Sequence, residues 1–220
     1  MIVGHFAFGL ILKRADKSLS LGLLFIATQL SDLVFGVTGL AGIEKINIVA
    51  GTNTVTSIEY AFYPYSHSLV ATIIWAALIG LIFLIVPFKS GQSRSKTALV
   101  MSTAVISHFI LDFIVHNPDL DVLGSGAYKV GLGLWNYTYV SYTVESLLLL
   151  AGLWVYLKST KGSTLSGKYG MPFLTMVLLI LSAVVTFMPA PASVQTGIIM
   201  LMTIYLGTIA AAFWLDRKRT

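Results

Sequence analysis

The chain contains no cysteine. That excludes a disulfide framework and any thiolate metal site, so an ion could be held only by imidazole, carboxylate or neutral oxygen. Charge is also scarce: 10% of the 220 residues are Asp, Glu, Lys or Arg, against 56% hydrophobic. Soluble domains carry about a quarter charged residues, so this balance, with a mean hydropathy of +0.86, reads as an integral membrane protein surrounded by membrane lipids. The net charge of +5 is not gathered into a basic patch interleaved with aromatics, which argues against nucleic acid as a partner. No basic region precedes the apolar residues 1–12 and no small-residue cleavage pattern follows, so a cleaved signal peptide is not expected. The sequence shows no internal repeat of the kind that builds inverted-repeat transporters.

What the chain does have is a series of apolar stretches, at 1–12, 19–41, 67–88, 97–116, 135–157, 171–189 and 195–215. Most are near the ~20 residues that cross a bilayer. The expected fold is an all-α, polytopic membrane helix bundle of about seven transmembrane helices, forming a single transmembrane domain over residues 1–220. Basic residues fill alternate connections: Lys13, Arg14 and Lys17, then Lys89, Arg94 and Lys96, then Lys158, Lys161 and Lys168, then Arg217, Lys218 and Arg219. The connections between them hold Glu44, Glu59, Asp119 and Asp121 with only Lys45 and Lys129. By the positive-inside rule the basic loops are cytoplasmic, which puts the N-terminus outside and the C-terminus inside.

Within this apolar background the stretch Ser107–Asp121, SHFILDFIVHNPDLD, stands out. On a helix advancing about 100° per residue, His108, Asp112 and His116 fall at roughly 0°, 40° and 80°, one stripe of imidazole, carboxylate and imidazole. Each ionisable group at mid-bilayer costs roughly 2.5 to 3.5 kcal/mol, so a partner is expected. Neutral imidazole nitrogen and carboxylate oxygen one turn apart are ligand types that hold zinc or a similar divalent ion. Counting about 1.5 Å per residue up from the cytoplasmic loops puts His5 at about 12 Å, Glu145 and His108 at about 17 to 18 Å and Asp32 at about 20 Å. The same count puts Asp112 at about 23 Å and His67 and His116 near 30 Å. The site-bearing helices of 1–157 thus converge on the central-to-outer half of the membrane, whereas 171–189 and 195–215 carry no ionisable residue and read as two apolar scaffold helices.

Several of these residues have ordinary explanations. His5 suits an interface, Ser66 an N-cap, and Asp119 and Asp121 the turn around Pro118. Trp135, Tyr137 and Tyr139 match an aromatic belt. Gln29 shares a helix face with Asp32 at i, i+3. Glu145 fits no belt and is open to three roles: general base, partner to a ligand histidine, or counter-charge.

The motifs GHFAFG, the SDLV around Asp32, YPYSHS and SHFILD resemble, in order and rough spacing over residues 4–112, the YdjM-like family of microbial inner-membrane proteins, described as membrane-bound metal-dependent hydrolases. The family pattern is an N-terminal G-H, a P-D-x-D, an H-R-G-x-T-H-S and an S-H-x-x-x-D. The matches are Gly4 and His5, Asp32, His67 and Ser68, and Ser107, His108 and Asp112. Two positions depart: the second aspartate of P-D-x-D is Val34, and the first histidine and arginine of H-R-G-x-T-H-S are Phe62 and Tyr63. His116, Asp119 and Asp121 stand as candidate replacements for a second metal or a substrate contact. The resemblance implies the cytoplasmic (inner) membrane of a microbe and hydrolytic chemistry.

The combined expectation is a membrane-embedded hydrolase with one divalent metal, zinc first, held by some of His5, Asp32, His67, His108 and Asp112. Glu145, or Asp112 if it is free of the metal, would be the general base. A lipid-like ester or phosphoester would be the substrate, with Gln29, Ser68, His116, Asp119 and Asp121 as further contacts. A metal-ion or proton transporter or channel using the same cluster is the first alternative, and a structural or regulatory membrane protein the second.

Overall fold

A computed structural model describes residues 1–49, 55, 57–86, 93–124 and 126–219; Lys89 of the basic loops lies outside them. The described chain is mostly helical. Helix α1, Gly4–Leu12, is followed by a broken pair, α2, Leu21–Thr28, and α3, Leu30–Leu40, bent by 58°. A two-stranded antiparallel hairpin, β1 (Lys45–Ile48) with β2 (Ile58–Phe62), pairs Ile46 with Tyr60 and leads to α4, Leu69–Ile85. Then come α5, Arg94–Val115, a short pair β3 (Leu120–Asp121) with β4 (Lys129–Val130), and a 3₁₀ turn at Leu134–Asn136. The chain ends with α6, Thr138–Ser159, α7, Leu165–Phe187, and α8, Val194–Asp216. The two hairpins occupy connections whose sequence predicts only loops.

Among the described residues, the four helices α5, α6, α7 and α8 are long and apolar enough to cross a membrane, and the bent pair α2–α3 passes the same test as one broken span. The seven expected crossings are corrected accordingly. Helix α1 has nine residues and reaches only about 13 Å at ~1.5 Å per residue, short of a ~30 Å hydrocarbon core. Helix α4, with 17 residues, reaches about 25 Å on the same rise.

Helix α1 sits inside the bundle rather than at its edge. Val3, Phe6 and Ala7 are fully buried, and Gly152 of α6 lets the two backbones touch. A Cβ at Gly152 would come 2.8 Å from the Ala7 carbonyl oxygen and 2.9 Å from its Cα. The N-terminus of α1, with its unpaired N–H groups, is capped from another helix: the Glu145 carboxylate accepts from the Ile2 and Val3 N–H groups at 2.9 Å and from Gly4 at 3.2 Å. At the other end of α1, Lys13 Nζ donates to Asp216 at 2.6 Å, and Asp216 also accepts from the Tyr156 hydroxyl and the Leu21 N–H. The short helix is therefore fixed at both ends by buried charge, and His5 is held at a set height.

Candidate metal centre

Three helices, α1, α3 and α5, and the loop before α4 bring the five predicted ligands together. Asp112, in the last turn of α5, is the hub: its Oδ1 lies 3.1 Å from His5 Nε2, and its Oδ2 lies 2.9 Å from His108 Nε2 and 3.8 Å from His67 Nε2. Asp32 Oδ1, from the first turn of α3, lies 3.3 Å from His67 Nε2 and 4.0 Å from His108 Nε2. The imidazoles of His5 and His108 stack with centroids 3.8 Å apart. Two triads, His5–Asp32–His108 and His67–His108–Asp112, each offer ligand atoms within 4.8 Å of one another.

The orientation of two of the rings, His108 and His67, is set by the other nitrogen. His108 Nδ1 lies 2.8 Å from the Thr28 carbonyl oxygen, at the break between α2 and α3. A carbonyl only accepts, so Nδ1 carries the proton and Nε2 of a neutral ring presents a lone pair. That lone pair faces the Asp112 and Asp32 carboxylates without making a hydrogen bond, and Asp32 Oδ2 and His5 Nδ1 make none within the protein either. His67 Nδ1 is 2.7 Å from Ser66 Oγ, and the loop carrying both is fastened by Glu44, whose carboxylate accepts from the Tyr65 and Ser66 N–H groups. With neutral imidazoles, two carboxylates face one ammonium, the Met1 amine 2.6 Å from Asp112 Oδ1, which leaves one negative charge uncompensated. Buried charge of that kind attracts a cation.

The remaining predicted residues divide. Glu145 takes the third of its open roles, counter-charge to the α1 N-terminus, with its oxygens engaged there. Ser68, not Ser66, is the N-cap of α4, accepting from the Ala71 N–H at 3.0 Å and donating to the Pro64 carbonyl at 2.7 Å; Ser66 instead orients His67. His116 does not extend the stripe. The helix ends at Val115, and His116 is extended, with φ −63° and ψ 147°, because Asn117 precedes a proline and the chain cannot stay helical there. The His116 ring turns onto Trp135 and Tyr60, with centroids 4.3 and 4.7 Å away, and its Nδ1 lies 2.9 Å from Asp119 Oδ1. Burial holds this imidazole below its ordinary pKa, against the upward pull of Asp119. Tyr63 donates to the Asp119 carbonyl at 2.7 Å, and burial with the nearby Asp119 carboxylate pushes its phenol far above the ordinary range, so it remains a donor.

Asp121 is a loop staple that accepts from the Leu123, Gly124 and Gly126 N–H groups. Gly131, at φ +153°, passes so close to the Asn117 and His116 carbonyls that a Cβ would collide with both, which makes glycine necessary where β4 returns over the His116 turn. Gln29 is fully buried at the α2–α3 break, with neither amide atom hydrogen-bonded within the protein. Trp135, expected in an interfacial belt, is 4% exposed and lines the interior.

A cavity of about 330 Å³ opens from the Asp32, His67 and Asp112 side of the cluster. No family model, curated protein or solved structure matches the chain.

Proposed function

We propose that the protein is a membrane-embedded, metal-dependent hydrolase of a lipid-like ester or phosphoester, with one divalent ion, zinc in the first instance, held by His5, Asp32, His67, His108 and Asp112. The observation that carries the reading is His108: its Nδ1 proton is committed to the Thr28 carbonyl, so its Nε2 lone pair points at two carboxylates. Lone pairs converging in this way need a cation between them or an extra proton on the ring. A divalent ion held there would lower the pKa of a bound water toward about 7 and polarise an ester or phosphoryl oxygen.

The protein's own residues supply the rest. Ser66 and Thr28 fix two ligand rings through their Nδ1 atoms, as outer partners do in metal sites. Glu145 and the Lys13–Asp216 pair hold α1 and its His5 in place. With Glu145 occupied, a carboxylate oxygen of Asp32 or Asp112 that is not bound to the ion is the nearest proton acceptor. In the proposed orientation α1 is a half-length helix with its N-terminus at the outer half of the membrane, α2–α3 is a broken span, and the C-terminus is cytoplasmic.

Ion or proton transport by the same cluster is disfavoured by what lies between it and the Lys13–Asp216 end. Phe6, Leu10, Leu24, Phe25 and Met101 are buried there at 0–2% exposure, so the cluster is open to one side only. The test is hydrolysis of a nitrophenyl ester or phosphodiester with an alkyl tail, by reconstituted protein with and without added zinc. Zinc-dependent turnover that His67→Ala abolishes supports the reading; turnover unaffected by chelation or by His67→Ala refutes it.

A further inference from the structure

The cavity beside the cluster is polar on one wall and apolar on the others. Asp32, His67 and Asp112 form the polar wall, while α7 and α8, expected to be scaffold, contribute Val185, Ile198 and Leu201, the turn between them contributes Met188, and the first hairpin contributes Ile46 and Ile58. At the ~30 Å³ that a water-sized group occupies in a liquid, about 330 Å³ holds about eleven non-hydrogen atoms. That is too small for even one turn of a helix about 10 Å across, and too small for the paired tails of a two-chain lipid. It matches one aliphatic chain segment of about ten carbons. A free apolar molecule would leave the polar wall without a partner, and a small polar solute would leave the apolar walls facing water.

From this division we infer that the cavity is a binding site for a single aliphatic chain, about ten carbons deep, of an amphiphile whose polar head meets the His/Asp cluster. This deepens the hydrolase reading, and rests on it for the role of the head group, by naming the part of the substrate that gives specificity: one chain enters and the reacting bond stops at Asp32, His67 and Asp112. Trp135, Tyr60 and the His116 ring also line the cavity and pack on one another.

The experiment uses the full chain in phosphatidylcholine vesicles and a ten-carbon primary alcohol with a diazirine at its tail. The hydroxyl head makes binding readable in chelated protein, so failure of the chain site and failure of the metal site are separable. After irradiation, peptide mapping is expected to find label concentrated at residues 184–201, displaced by excess 1-decanol and not by ethanol. Ile198→Trp, which fills the cavity, is expected to cut this label about tenfold while leaving the lipid-facing positions Phe173 and Ile180, exposed on α7, labelled as before. If Ile198→Trp does not fold, Leu201→Phe serves the same purpose. Label spread evenly over α7 and α8, unchanged by either variant and by 1-decanol, overturns the inference. Zinc binding without localised label removes the chain site alone, and localised label without zinc binding removes the metal reading alone.

Discussion

Asp112→Asn separates a metal centre from a packing network. The amide keeps the shape of the side chain and removes its charge. In the structure the carboxylate touches the Met1 amine at 2.6 Å, His108 at 2.9 Å and His5 at 3.1 Å. Losing an outer partner of a ligand typically costs about 10- to 100-fold in metal affinity, so losing a ligand that also supplies half the cluster's negative charge should exceed 100-fold. At zinc one hundred times above the wild-type Kd, binding stabilises the native state by about 2.7 kcal/mol; a 100-fold weaker site keeps only about 0.4 kcal/mol of that.

For a chain of this size each kcal/mol moves Tm by about 2 to 4 °C, so the zinc-induced rise in Tm should shrink by about 5 to 9 °C in the variant. Thermal melts with and without zinc, beside elemental analysis, measure both quantities. Retained metal with raised stability would refute the reasoning, because a packing network tolerates a neutral amide that spares the desolvation of a carboxylate. His108→Ala and Asp112→Ala should each abolish binding, and the double variant should be no worse than either, since ligands of one ion act as a unit.

Ser66→Ala should leave His67 in place but unoriented, weakening zinc binding about 10- to 100-fold with little change in the melt of chelated protein; an unchanged Kd by competition titration would contradict the assigned role. Gly152→Val should force α1 away from α6 and destabilise the fold by about 1 to 3 kcal/mol, read as a lower Tm, with loss of metal as His5 shifts. Because burial lowers the His116 pKa below its ordinary 6.5, the unfolded chain takes up that proton first. This contribution to stability is complete above pH 6.5 and is lost as pH falls below it, so in chelated protein His116→Gln should flatten the fall in Tm between pH 7 and 5. A slope identical to wild type would contradict that assignment.

The cluster was legible in the sequence because the membrane makes charge expensive: His5, Asp32, His67, His108 and Asp112 are conspicuous against an apolar chain, although the depths counted for them, from about 12 to 30 Å, spread wider than the contacts that join them. The groups that orient them were not legible. Thr28 acts through a backbone carbonyl at a helix break that no residue type announces, and Ser66 and Ser68 are both serines in YSHS, with nothing in the spacing to say which caps α4 and which holds His67. Glu44 fastens the His67 loop from 22 residues away, a contact set by the hairpin. Asn117–Pro118 carries the signal that α5 ends close to His116, a signal that periodicity alone does not contain. The roles of α7 and α8 as cavity walls were hidden for the opposite reason, since a lipid-facing side chain and a cavity-lining one can both be isoleucine.

The central claim is that the converging His and Asp side chains hold an ion, and elemental analysis of the purified chain, paired with anomalous scattering at the zinc edge, tests it most directly. The account predicts about one zinc or similar divalent ion per chain, a single anomalous peak between Asp112, His108 and His67, and a fall in Tm on chelation that added zinc reverses. Metal-free protein with no anomalous peak and a Tm indifferent to chelator and to zinc would contradict it.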